Sequence, residues 1–275
     1  MKIGFIDYYL DEWHANNFPA LIQEVSDGDM SVTLAYALID SPLEGGRTTA
    51  QWCEDMGIRQ AKTIEEIVRE CDGLVVLSPD NCEMHEQLCK LPLESGKPTY
   101  VDKTFAPDGE TAQRIFAMAE QAGTPCYSTS ALRFAHEYDG IEDVRTISSW
   151  GPGHFETYAI HQLEPIVMLM HSRARRVLAL KDEGSERLMI QFEDGACATL
   201  ACYPDGGPFM MNIGCSGENR VLKVESDYFG AFIHQLVRFF RTSSELVAHE
   251  ETIRIMAVRG AGIQALAAPG TWVTL

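Results

Sequence analysis

The chain has 275 residues, 45% hydrophobic and 23% charged, which fits one large or two modest globular domains with a substantial core. Its 22 Lys+Arg against 40 Asp+Glu give a formal net charge of -18. That charge repels nucleic acid and anionic lipid, so neither is an expected partner. The eight cysteines form no C-x-x-C pair, and several sit in apolar runs such as GACATLACYP. Reduced thiols in a cytoplasmic protein are therefore expected, not disulfides or zinc. MKIGFID reads as a strand and not a signal peptide, and no run approaches the roughly 18 apolar residues of a membrane span.

In chain order, KIGFID (2–7) is a buried strand, followed after a loop by a helix from about Asn17 to Glu24. VTLAYALID (32–40) is a second apolar run, and TTAQWCEDMG and TIEEIVREC read as helices. CDGLVVLSP (71–79) is a third strand, and MHEQLCKLPLESGK is a helix with Gly96 at its C-terminal end. PTYVDK (98–103) is a fourth strand, GETAQRIFAMAEQAG a helix, and TPCYSTSALRF a fifth strand. Alternating helices and continuous apolar strands argue a Rossmann-like, doubly wound parallel sheet over residues 1–128. From about 129 the pattern changes. DVRTISSW, RRVLALKDEG, ERLMIQFEDG, ACATLACYP, FMMNIGCSG and NRVLKVES read as strands separated by Glu-Gly, Asp-Gly and Ser-Gly turns. Helices are expected at 158–171, 228–240 and 250–267, and WVTL closes the chain as a strand. Residues 129–275 are thus expected to form an α+β domain on an open, mainly antiparallel sheet.

Three local patterns, taken in order, resemble the Gfo/Idh/MocA oxidoreductase family. They are LSPDNCEMHEQLCKLPLESGKPTYVDK, VDKTFAPDGETAQR and GHFETYAIHQLEPIVMLM. ALRF (131–134), FEDGACATL, SGENRVLKV and PGTWVTL are similar to the family's crossover, sheet and tail, so the resemblance spans essentially the whole chain. It implies NAD or NADP as cofactor and a small, sugar-like substrate. It also implies a homodimer or homotetramer formed through the C-terminal sheet. Asp7, Tyr8, Tyr9, Asp40, Ser78, Pro79 and Asp102 would fall at the cofactor positions. The departures are specific. The family's Glu-Lys-Pro becomes Asp102-Lys103-Thr104, and Asp-x-Gly-x-His-x-x-Asp becomes a segment running from Thr157 through His161 to Glu164. The glycines of G-x-G-x-x-G would fall at Asp7, Tyr9 and Glu12.

That last departure has a physical cost. The glycines let backbone approach a pyrophosphate whose charge is solvated by the N–H groups of a helix N-terminus. Carboxylates there would set like charges together, and at about 4 Å a screened pair costs on the order of 1–4 kcal/mol. Three uses of the loop stay open: a metal held by Asp7, Asp11 and His14, a sugar stacked on Tyr8, Tyr9 and Trp13, or plain capping and packing. No metal site is assigned.

Lys103, at the end of a buried strand, can donate or accept a proton at a carbonyl or hydroxyl. His161 is its natural partner, because an imidazole suits proton transfer near neutral pH. Glu164, one turn on, would orient it. Arg133, His154, Tyr158 and Glu164 are candidate substrate contacts, whereas His85 and Glu86 read as structural. Asp40 would meet a ribose diol, unless Leu38 holds that register. Two functions follow. One is an NAD(P)-dependent oxidoreductase acting on a secondary alcohol or ketone of a sugar, cyclitol or related polyol. The other is a non-redox sugar-processing enzyme or a silent binding subunit that uses the acidic aromatic loop 7–14.

Overall fold

The computed structural model describes residues 1–275. Its first sheet runs through strands β1 (Lys2–Asp7), β2 (Ser31–Ala37), β3 (Arg59–Gln60), β4 (Gly73–Val76), β5 (Thr99–Val101) and β6 (Cys126–Tyr127). All neighbouring pairs are parallel, in the order β3-β2-β1-β4-β5-β6, the arrangement of a doubly wound nucleotide-binding fold. Between them lie helices α1 (Trp13–Val25), α2 (Thr49–Met56), α3 (Ile64–Glu70), α4 (His85–Leu93) and α5 (Gly109–Ala122). Register carries the strand ends to one level: Leu77 N–H donates to Ile6 O at 2.8 Å and Asp102 N–H to Val76 O at 2.8 Å. Asp7, Ser78 and Asp102 therefore emerge together at the carboxyl edge.

Two local expectations change here. α1 begins at Trp13 and not Asn17, because the Glu12 carboxylate caps it and Pro19 is carried inside. β2 stops at Ala37 because Leu38 and Ile39 turn their N–H groups onto Asp7 O and Tyr8 O. β3 is an addition: two exposed polar residues held to β2 by backbone alone.

The second sheet is mixed and mainly antiparallel. Its strands are β7 (Val144–Pro152), β8 (Ala174–Asp182), β9 (Ser185–Phe192), β10 (Cys197–Tyr203), β11 (Met210–Cys215), β12 (Glu218–Lys223) and β13 (Trp272–Thr274). They lie in the order β12-β11-β7-β10-β9-β8-β13, with β7 and β10 the one parallel pair. Alternate residues such as Val177, Leu188, Ile190, Leu200, Met211 and Ile213 are buried on one face. The helices are α6 (Phe155–Tyr158), α7 (Ile160–Met170), α8 (Tyr228–Thr242) and α9 (His249–Ala267), of which α7 and α9 pack on this sheet. Each fully buried Leu, Ile or Phe contributes about 1.5–3 kcal/mol. The opposite face leaves Leu180 and Met189 exposed and carries a groove of about 320 Å³.

The compact units are not contiguous stretches. One comprises Met1–Ala106, Gln113–Ser128 and Ile233–Ala248, and the other Pro107–Ala112, Thr129–Phe232 and His249–Leu275. Two aromatic residues of α8 account for its share in the first: the Phe240 ring lies where a Cβ on Gly73 would come within 2.7 Å, and Phe239 meets Tyr127 edge-on at 4.7 Å.

Candidate active-site residues

In the first unit, the turn between β1 and α1 gathers three carboxylates and an imidazole. Asp7 is 1% exposed; its Oδ1 accepts the Tyr8 N–H at 2.6 Å, and its Oδ2 has no hydrogen-bond partner. Burial, then the Glu12 charge, pushes the Asp7 carboxyl well above the usual aspartate range. The Glu12 carboxylate accepts the N–H of His14 at 2.7 Å and also that of Ala15. Burial drives the Glu12 carboxyl up to about 7, although the His14 charge and those two N–H groups oppose it. His14 Nδ1 lies 2.8 Å from Asp102 Oδ2, as an ion-pair contact without the alignment of a hydrogen bond. Burial alone would raise Asp102, but His14, Lys103 and the Tyr100 hydroxyl, which donates to Oδ1 at 3.0 Å, hold it below the usual range.

Around this cluster the strand ends supply the other candidates. Lys103 follows Asp102 and is half-buried. Ser78 is buried with φ +78°, its hydroxyl donating to Asn81 O at 3.0 Å, and Pro79 beside it is buried. Tyr8 and Tyr9 are half-buried and meet edge to face at 6.1 Å, while Trp13 is 55% exposed. Asp40 is exposed and accepts the Thr49 N–H at 2.7 Å, so it caps the entry to α2. Asp11 pairs with Arg47 at 2.5 Å. No group of three or more His, Cys, Asp or Glu side chains is arranged to hold a metal ion. His85 is fully buried between Phe105 O, at 2.9 Å, and Leu77 O, and Glu86 pairs with Arg114 at 2.7 Å.

In the second unit, His161 is half-buried, its Nδ1 2.8 Å from the Ser130 hydroxyl and its ring edge-on to Tyr158 at 5.4 Å and Phe209 at 5.8 Å. Glu164 follows one turn further along α7. It is 3% exposed, accepts the Thr129 hydroxyl at 2.5 Å and sits 3.5 Å from Arg133, which also pairs with Glu251. Burial raises the Glu164 carboxyl, with Arg133 opposing. Tyr158 is 43% exposed, and His154 is exposed 4.0 Å from Glu186.

Residues 27–130 match the family model GFO_IDH_MocA, described as an oxidoreductase family with an NAD-binding Rossmann fold. Over that stretch the chain is similar to the Gfo/Idh/MocA oxidoreductases. Solved structures that share the fold across both chains include myo-inositol dehydrogenase from Lactobacillus casei in complex with NAD(H) and myo-inositol, with TM-score 0.80 and 10% identity over 100% of this chain and 96% of that one. Others are apo scyllo-inositol dehydrogenase from Lactobacillus casei (0.76; 14%; 99% and 97%) and UDP-N-acetylglucosamine 3-dehydrogenase from Acidithiobacillus ferrooxidans (0.75; 13%; 98% and 97%). No curated protein matches the chain.

The family's dinucleotide meets a mixed reception here. The matched stretch begins at residue 27, after β1 and the turn that carry the departures. The N–H pair of His14 and Ala15 faces an anion, as the α1 end of this fold does for a pyrophosphate, but the anion is the chain's own Glu12. As it stands, this turn does not fit a pyrophosphate. Sequence reading missed Glu12 as a cap because glutamate is not among the favoured N-cap residues. It missed Ser130 because a short hydroxyl 31 positions from His161 leaves no periodic signal.

Proposed function

We propose that this chain is a Gfo/Idh/MocA-type enzyme that oxidises or reduces a secondary alcohol or ketone of a sugar, cyclitol or related polyol, with Lys103 and His161 as its proton-transfer groups. NAD or NADP would supply the hydride chemistry when bound. The observation that carries the reading is Lys103, half-buried at the carboxyl edge of the parallel sheet inside the family-matched stretch. A lysine at such an edge takes up a hydroxyl proton on oxidation and returns it on reduction. Ser130 fixes the His161 ring, and Tyr158 walls one side of it. Arg133 and His154 are the candidate substrate contacts. Ser78, Pro79, Asp102 and Asp40 are the candidate cofactor contacts, with Asp7, Tyr8 and Tyr9 on the turn. The inositol and sugar dehydrogenases among the fold relatives support the substrate class.

The apolar outer face of the second sheet supports self-association into a homodimer or homotetramer, which light scattering would read. Eight free cysteines support a reducing, cytoplasmic setting, and no helix is long and apolar enough to cross a membrane.

A second reading is favoured by one observation, the Glu12 carboxylate seated on the α1 N–H groups. It makes the chain a non-redox sugar-processing enzyme, or a binding subunit without turnover, built on the same scaffold. Titration with NADH and NADPH, followed by quenching of tryptophan emission and energy transfer to the reduced nicotinamide, separates the two. Trp13, exposed at the start of α1, is the reporter. Saturable micromolar binding supports the dehydrogenase, and no binding up to millimolar ligand sinks it in favour of the second.

A further inference from the structure

The β1–α1 turn holds more acid than it can satisfy. Glu12 is the N-cap of a thirteen-residue helix, with extended backbone (φ -134°, ψ 170°) that folds its side chain back over the first turn. There it accepts two N–H groups, as a bound anion would at a helix N-terminus. Independently, Asp7 Oδ2 is buried at the end of β1 with no partner, and the Asp7 and Asp102 charges both act on Glu12. A cap chosen for helix stability alone would be a short, neutral or well-solvated side chain. This one is a buried carboxylate among two others, compensated by His14 at 3.7 Å.

We propose that Glu12 is a resident competitor, its carboxylate filling the phosphate place of the turn so that it must swing out before the pyrophosphate of NAD(P) can take the His14 and Ala15 N–H groups. The inference rests on the dehydrogenase reading. It makes Glu12 a residue that sets cofactor affinity without contacting the reacting atoms. The apparent dissociation constant then equals the intrinsic one divided by the fraction of molecules in which Glu12 is out. Removing the competitor removes that factor, so the chain binds dinucleotide more weakly than its own groove allows.

Two variants test this without uncapping α1. Glu12→Ser keeps a favoured capping oxygen while removing both charge and reach, and Glu12→Gln keeps size and an acceptor while removing charge. Thermal melts verify that each is folded. NADH and NADPH are then titrated into the full chain and both variants, with energy transfer from tryptophan to nicotinamide as the readout. The expected result is dinucleotide binding tightened about ten- to a hundredfold in Glu12→Ser, with Glu12→Gln between it and the parent. Equal affinities in parent and Glu12→Ser would overturn the competitor and leave the dehydrogenase reading standing. Weaker binding in Glu12→Ser would also overturn it, by making Glu12 a contact that helps hold the cofactor. Absence of binding in all three would overturn both.

Discussion

Two buried acid clusters, one in each compact unit, are built on opposite principles. Around Glu164 each acid has a partner: a hydroxyl from Thr129 and the Arg133 guanidinium meet the carboxylate, and the same guanidinium nitrogen meets Glu251. Around Glu12 this fails: Asp7, Glu12 and Asp102 share His14 and the nearby Lys103, and Asp7 Oδ2 is left unpaired. Burying a carboxylate without a partner is costly, so a fold retains one where something other than stability is at stake. The first cluster meets its acids with partners inside the fold, and the second leaves an acid oxygen unmet.

That contrast can be broken most severely at Lys103. Lys103→Ala should lower turnover of a responsive polyol about 10²- to 10⁴-fold with little change in melting temperature. A variant that keeps full activity removes Lys103 from the chemistry. Next in size is Arg133→Met, which strands Glu164 and Glu251 together. We expect a loss of about 3–5 kcal/mol by chemical denaturation, and a loss below 1 kcal/mol would show that the cluster is not held by its ion pairs.

The opposite sign is expected at the unbalanced cluster. The Glu12 carboxyl, raised from 4.5 to about 7, binds a proton in the folded chain at pH values where the unfolded chain has released it. Its contribution to stability therefore falls as pH rises from about 4.5 to about 7, and Asp7, raised for the same reason, acts in the same sense. Asp7→Asn and Glu12→Gln should each stabilise the protein at pH 8 relative to the parent, by roughly 1–3 kcal/mol, and much less at pH 5. Denaturation curves at the two pH values check this; a parent that gains stability between pH 5 and 8 through these groups contradicts it. The smallest effect is at Ser130→Ala. It should cost under about 1 kcal/mol of stability yet lower turnover, because the His161 ring loses the hydroxyl at its Nδ1.

Much of the fold was legible because the central parallel strands are buried on both faces and so read as unbroken apolar runs; the LVVL of 74–77 is the plainest. β3 was not, because Arg59 and Gln60 face solvent and pair by backbone alone. The start of α1 was hidden twice over, by a glutamate cap and by Pro19 inside the helix. At the candidate site, the absence of glycine in the turn was plain, but not that its acid would fold onto the helix end. Spacing on α7 put Glu164 within reach of His161. It carried no information about Thr129 or Arg133, which the structure also brings to the acid.

The packing of α8 has a bearing on how the chain comes to be folded. Phe239 and Phe240 seal the sheet of the first unit against Tyr127 and Gly73, and the Glu245 carboxylate accepts the Cys126 N–H at 3.0 Å. These residues are synthesised more than a hundred positions after the strands they cover. A nascent chain that has emerged only as far as residue 128 therefore carries a complete set of parallel strands with one flank still greasy and open. Such a fragment should be sticky when expressed alone, and supplying 233–248 as a separate peptide should quiet it.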